Sequence, residues 1–165
     1  METVSFLATT QIVEVVSAFH DALEDHKESI NRLNVYPVPD GDTGTNMFLT
    51  VGSVLEEMKA VAFDDRDAVC AALSHGSLMG ARGNSGVILS QVLRGMSACF
   101  AKADEIDGDV LASALTEASV AADGAVMKPV EGTILTVVRE VARAARDAAE
   151  TSAILKVVEE ALTEG

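Results

Sequence analysis

Tryptophan is absent from this 165-residue chain, and one tyrosine and five phenylalanines are its only other large rings among 48% hydrophobic residues. A core assembled without rings must come from Ala, Val, Leu, Ile and Met, a composition that favours packed helices. Basic residues are also scarce, since 12 Lys and Arg stand against 26 Asp and Glu, for a formal charge of -14. Such a chain repels polyanions and has no basic stripe, which excludes nucleic acid as a partner. Bare carboxylates and phosphates repel as well, so a phosphate-bearing ligand would need a cation as mediator. Cysteine is limited to Cys70 and Cys99, which lack a metal-ligand spacing and sit in apolar helical patterns. They read as buried free thiols of a cytoplasmic protein. No apolar run approaches the roughly 18 residues of a membrane span, and no basic stretch followed by an apolar run opens the chain, so no stable membrane insertion is expected.

Strand-like alternation is missing too, as are tandem repeats and linkers, and what remains is helical periodicity. Ile12, Val15, Val16, Phe19 and Leu23 predict a helix from about residue 8 to the low thirties. Met47, Val51, Val54, Leu55 and Met58 mark a second, to about residue 61, and Asp64 and Asp65 look like start signals for a third through Leu78. A fourth is expected after Gly86. Beyond an acidic turn from Lys102 to Asp109, a fifth should run from Val110 to about Asp123, a sixth from about Thr133 to Ala149, and a seventh from Thr151 and Ser152 through Ile154, Leu155, Val158 and Leu162. The fold class is therefore all-α, an antiparallel up-and-down bundle or barrel of about seven to eight helices in a single domain over residues 1–165. If successive helices alternate in direction, the loops after the first, third and fifth emerge at one end. Those loops are the ones rich in Gly, Asn, Ser and Thr.

The first is Asn34-Val-Tyr-Pro-Val-Pro-Asp-Gly-Asp-Thr-Gly-Thr-Asn-Met47. Asp40 and Asp42 offer hard oxygens two residues apart on a turn that Gly41 and Gly44 let bend, as a hard cation requires, although a capped turn has the same residues. It is not a calcium-binding hand, because Gly44, Thr45 and Val51 stand where a ligand, a glycine and a bidentate glutamate belong. The second, Gly80-Ala-Arg-Gly-Asn-Ser-Gly86, leads into a helix whose first-turn amides can receive an anion. It lacks the lysine of a Walker A loop, and a tight turn capped by Asn84 or Ser85 is the other reading. Arg82 either neutralises phosphate or pairs with a surface carboxylate. In the third, Met127-Lys-Pro-Val-Glu-Gly-Thr-Ile134, Glu131 complements a helix dipole and Thr133 is a capping candidate. His20, His26 and His75 are dispersed and make no zinc spacing.

With these three stretches in view, the chain resembles the helical ATP-binding domain of the dihydroxyacetone kinase L type, and within that family the domain at the amino terminus of bacterial fatty acid kinase A proteins. The resemblance implies that Asp40 and Asp42 hold Mg2+, with Asn34 near a third ligand position where glycerone kinases place an aspartate. It implies that Thr43, Gly44, Thr45 and Asn46, together with Gly83, Asn84, Ser85 and Gly86, approach the phosphates of ATP, and that Glu131, Gly132, Thr133 and Ile134 border the nucleotide. The implied reaction moves the γ-phosphoryl group onto the carboxylate of a fatty acid held by a carrier protein, which further domains would recruit. A carboxylate is ionised at neutral pH, so no catalytic base is assigned. Family members continue with more helix and further domains, so the chain is expected to be the amino-terminal part of a longer protein, able to bind ATP without turning it over. A glycerone kinase subunit and a non-catalytic nucleotide-binding scaffold are the alternatives, and a homodimer is compatible with either.

Overall fold

A computed structural model describes residues 5–149, 157–159 and 162–163. Among them all regular structure is helical, and six long helices are described: α1 (Thr9–Leu33), α2 (Thr43–Met58), α3 (Arg66–Met79), α4 (Gly83–Lys102), α5 (Gly108–Gly124) and α6 (Ile134–Ala149). Residues 157–159 and 162–163 are helical where the seventh helix was expected, and Val157 is fully buried; Thr151, Ser152, Ile154 and Leu155 lie outside the described residues. No helix among the described residues is long and apolar enough to cross a membrane.

Side-chain caps set three of the helix starts. Asp65 accepts a hydrogen bond from the Ala68 amide at 3.0 Å and so caps α3, as the paired aspartates suggested. Asp107 does the same for α5 through the Val110 amide at 2.9 Å. At α6 the Thr133 hydroxyl accepts from the Leu135 amide at 3.3 Å, the capping role that its position predicts. The fourth helix departs from expectation. It starts at Gly83 rather than after Gly86, so the link from α3 is only residues 80–82. The Gly86 amide donates to the Arg82 carbonyl at 2.9 Å, which makes Gly83 to Gly86 a first helical turn. Glycine content suggested a loop here, and close packing explains the glycines instead.

Each helix packs on the next in sequence, and α2 also meets α4. The core is aliphatic, as the shortage of rings requires: Val51, Val54, Met58, Val69, Ala114, Ala145 and Val157 are essentially sealed from solvent. Each larger one contributes about 1.5–3 kcal/mol by burial. Helices approach closely at small residues. A Cβ on Gly76 would lie 2.9 Å from Val54 Cα, and one on Gly95 2.8 Å from the Ala118 amide nitrogen. Serines inside these contacts satisfy themselves on their own helix, with Ser77 donating to the Ser74 carbonyl at 2.9 Å and Ser90 to the Val87 carbonyl at 2.7 Å. Burial pushes the Cys70 thiol up to about 11, which suits a packing residue rather than a nucleophile.

The two ends of the bundle differ. At one, Arg66 on α3 donates to the Ala103 and Asp104 carbonyls that follow α4, and the Leu7 amide donates to the Ile106 carbonyl at 2.8 Å. Asp64, Asp65, Asp67 and Asp104 line an open polar cleft around Arg66. Solvated, charged turns were expected at this end. The loops after α1, α3 and α5 leave toward the other.

Candidate functional site

Residues 34–42 form a loop clasped at its base by one side chain. Asn34 Nδ2 donates to the Val38 carbonyl at 3.0 Å, and Asn34 Oδ1 accepts from the Asp42 amide at 3.2 Å. Within the loop the Tyr36–Pro37 peptide is cis. Gly41, at φ +67°, makes the left-handed bend between Asp40 and Asp42 that glycine adopts without penalty. Asp40 is exposed and Asp42 half-buried, and neither forms an ion pair among the described residues.

Asp42 occupies the N-cap position of α2, yet its side chain makes no capping bond. Asn31, one helix earlier, takes part of that role. Its Oδ1 accepts from the Thr45 amide at 3.1 Å, and its Nδ2 donates to Thr45 Oγ1 at 2.9 Å. A donor that an N-cap aspartate ordinarily binds is thus satisfied from α1, and the Asp42 carboxylate makes no bond to the helix that it precedes. Sequence reading missed Asn31, because only the apolar spacing of α1 was informative there. Gly44, expected to face phosphate, is buried where α1 and α2 meet; a Cβ would sit 2.3 Å from the Lys27 carbonyl oxygen.

The second stretch meets the first directly. Ser85 Oγ donates to the Thr43 carbonyl at 3.4 Å. Gly83, at φ +58°, lies against the Asn46 amide, so close that a Cβ would fall 2.3 Å from Asn46 Nδ2. Thr50 ties both together: its hydroxyl donates to the Asn46 carbonyl at 2.7 Å and accepts from the Arg82 amide at 3.2 Å. Thr50 is wholly buried, and nothing in its sequence surroundings distinguished it from a helix residue of the core. Thr43, Asn46 and Gly83 therefore lie together, with Asn84 exposed beside them and Ser85 and Gly86 buried beneath. The amides of Gly83, Asn84 and Ser85 belong to the first turn of α4, which has no preceding helical carbonyls to bind.

The third stretch is held differently. Chain alternation brings residues 125–133 to the same end, but their hydrogen bonds close on themselves and on the flanking helices α5 and α6. The Gly132 amide donates to Thr136 Oγ1 at 2.8 Å, and Thr133 Oγ1 donates to the Val130 carbonyl at 2.8 Å. Glu131 accepts from Arg139 and, at 3.1 Å, from Thr136 Oγ1. The hydrogen bond from Arg139, and then that from Thr136, hold the Glu131 carboxyl below its ordinary range. Gly132, Thr133 and Ile134 complete the turn into α6. Of the three stretches, the structure joins the first two and leaves the third alongside.

Residues 37–165 match the family model of the DAK2 domain. Protein YloV of Bacillus subtilis (strain 168) is 46% identical over 151 residues, which cover 92% of this chain and 27% of that protein. The uncharacterized protein SH1689 of Staphylococcus haemolyticus (strain JCSC1435) is 47% identical over 143 residues, 86% of this chain and 26% of that one. The uncharacterized protein SAUSA300_1119 of Staphylococcus aureus (strain USA300) is 47% identical over 130 residues, 79% of this chain and 24% of that protein. The chain thus spans about a quarter of the length of these relatives.

Proposed function

The chain belongs to the DAK2 domain family, the L-type domain of dihydroxyacetone kinases, and from that premise we propose that it is the ATP- and Mg2+-binding domain of a kinase that phosphorylates a carrier-bound fatty acid on its carboxylate. The observation that carries the nucleotide reading is the Asp42 carboxylate, which stands at a helix N-cap without capping it while Asn31 takes over the Thr45 amide. A carboxylate retained in that position and released from the structural task fits a hard-cation ligand, and Asp40, across Gly41, supplies the second. Asn34 holds the loop that presents them, and the clasp uses one lone pair of its amide oxygen, leaving the other for a metal.

Magnesium bound there would supply charge neutralisation on the phosphate oxygens during transfer. The chain's own residues do the rest. Amides at the start of α4 point out of a helix N-terminus and orient an anion. The Asn46 amide and the Ser85 hydroxyl, fixed by Gly83 and the Thr43 carbonyl, set the distance between the aspartate loop and those amides. Fixed donors cost little reorganisation when charge develops, which is why such a site accelerates phosphoryl transfer without a base when the acceptor is already an anion. Glu131, Gly132, Thr133 and Ile134 would border the nucleotide from the third loop, with Glu131 anchored by Arg139.

The acceptor is tested by giving a longer protein that carries this domain radiolabelled ATP, Mg2+ and either a fatty-acid-loaded carrier or dihydroxyacetone. Acyl phosphate, trapped by hydroxylamine, is the expected product. Label appearing only in the triose would replace the fatty acid reading with that of a glycerone kinase subunit.

A further inference from the structure

Arg82 is the cation that the short link from α3 places immediately before the first turn of α4. Among the described residues Lys59, Arg139 and Arg143 lie within salt-bridge distance of carboxylates, Lys27 lies over the Phe48 ring at 4.3 Å, Arg66 binds two carbonyls at the far end of the bundle, and Arg32, Arg94 and Arg146 donate to side-chain oxygens of Ser29, Gln91 and Thr116. Arg82 has no carboxylate partner there, although the sequence holds 26 acids against 12 Lys and Arg. Its backbone is fixed, because the Arg82 amide donates to the buried Thr50 hydroxyl at 3.2 Å and its carbonyl accepts from the Gly86 amide at 2.9 Å. Its side chain is exposed and committed on one nitrogen only. Nη1 donates to the Gly80 carbonyl at 3.2 Å and to the Ala81 carbonyl at 3.3 Å. The edge formed by Nε and Nη2 is left over, and that edge presents two parallel N–H groups of the kind that pair with two phosphate oxygens.

We propose that Arg82 is a phosphate-binding residue of this site, contacting the polyphosphate of ATP through its uncommitted guanidinium edge. The inference rests on the nucleotide reading above and adds to it the cation that the protein itself contributes. Asp40 and Asp42 make the neighbourhood negative, and a guanidinium on the α4 side offsets the repulsion that they impose on an incoming polyphosphate. It takes the phosphate side of the choice that the sequence left open, since Arg82 has no carboxylate partner among the described residues.

The test is calorimetric titration of the 165-residue chain with Mg·ATP at low and high KCl, comparing wild type with Arg82→Gln and Arg82→Lys. Arg82→Gln is expected to weaken binding about tenfold or more at low salt, as loss of a charge-assisted pair does, and to flatten the salt dependence. Arg82→Lys keeps the charge without the fork and should fall between the two. Thermal midpoints should be unchanged in both, because the backbone bonds of residue 82 persist. Wild-type affinity in Arg82→Gln would overturn the assignment of Arg82 alone. A wild-type chain that does not bind Mg·ATP at all would remove the nucleotide reading and this inference with it.

Discussion

Asn31 and Asp42 divide between them what one residue does at most helix starts. An N-cap aspartate ordinarily accepts from an amide in the first turn, and here Asn31 of α1 receives the Thr45 amide while also donating to the Thr45 hydroxyl. Replacing Asn31 with Ala removes both bonds and is expected to cost about 1–3 kcal/mol in a denaturant melt. It should also weaken nucleotide binding, because the Asp42 carboxylate would then turn to cap α2. An unchanged melt and unchanged affinity together would contradict this division. The sequence showed the aspartates, glycines and threonines of the loop but not Asn31, whose partner lies 14 residues away across a helix pair. Gly44 was legible as a special position, but sequence alone did not show that its neighbour is the Lys27 backbone. Glu131 carries a pH dependence of its own. Its folded value is lowered, chiefly by the hydrogen bond from Arg139, so the link to α6 is intact above the ordinary carboxylate range and is lost as pH falls through the lowered value. In an NMR titration of the Glu131 carboxyl carbon, Arg139→Gln should move the midpoint up toward that of a free glutamate. A midpoint indifferent to Arg139 would show that the pair does not hold the loop.

Helices were the most readable level, because apolar spacing and caps act locally. Asp65 and Asp107 each satisfy an amide of the helix that they start. Changing either to Ala should lower stability by about 1 kcal/mol, and the double change should sum the two, since they cap different helices without a shared partner. Thermal melts of the two single variants and the double variant decide it, and a double variant no less stable than either single one would contradict independence. α4 shows where local reading fails. Four residues from Gly83 to Gly86 have poor helix propensity, yet they form a turn because tertiary contacts with Asn46 and Thr50 demand small side chains at positions 83 and 86. A Cβ on Gly86 would lie 2.5 Å from Thr50 Oγ1. Propensity is overridden by the packing that joins the two loops.

At the scale of the molecule, direction of travel organises function. Successive antiparallel helices send alternate loops to opposite ends, and the charged turns around Arg66 occupy one end while Asp40, Asp42, Gly83 and Ser85 gather at the other. That segregation was legible from loop composition and parity. Parity also gave the end at which the third loop emerges, but not its bonding, since the partners of Gly132 and Glu131 lie on α6 rather than in the first two loops. An aliphatic, small-residue core lets α3 approach α2 at Gly76 and α5 approach α4 at Gly95, while Gly83 and Gly86 bring the start of α4 against Asn46 and Thr50 of α2 and so fix the loop-bearing ends of those two helices against each other. The most direct measurement is calorimetric titration of this chain with ATP in the presence of magnesium and again in EDTA, with Asp40→Asn and Asp42→Asn alongside. Binding that requires magnesium and weakens about tenfold or more in each variant, with helicity by circular dichroism unchanged, is the predicted result. ATP binding that survives EDTA and both substitutions unaltered, or no binding at millimolar ATP, would contradict the assignment of this end of the bundle as a magnesium-nucleotide site.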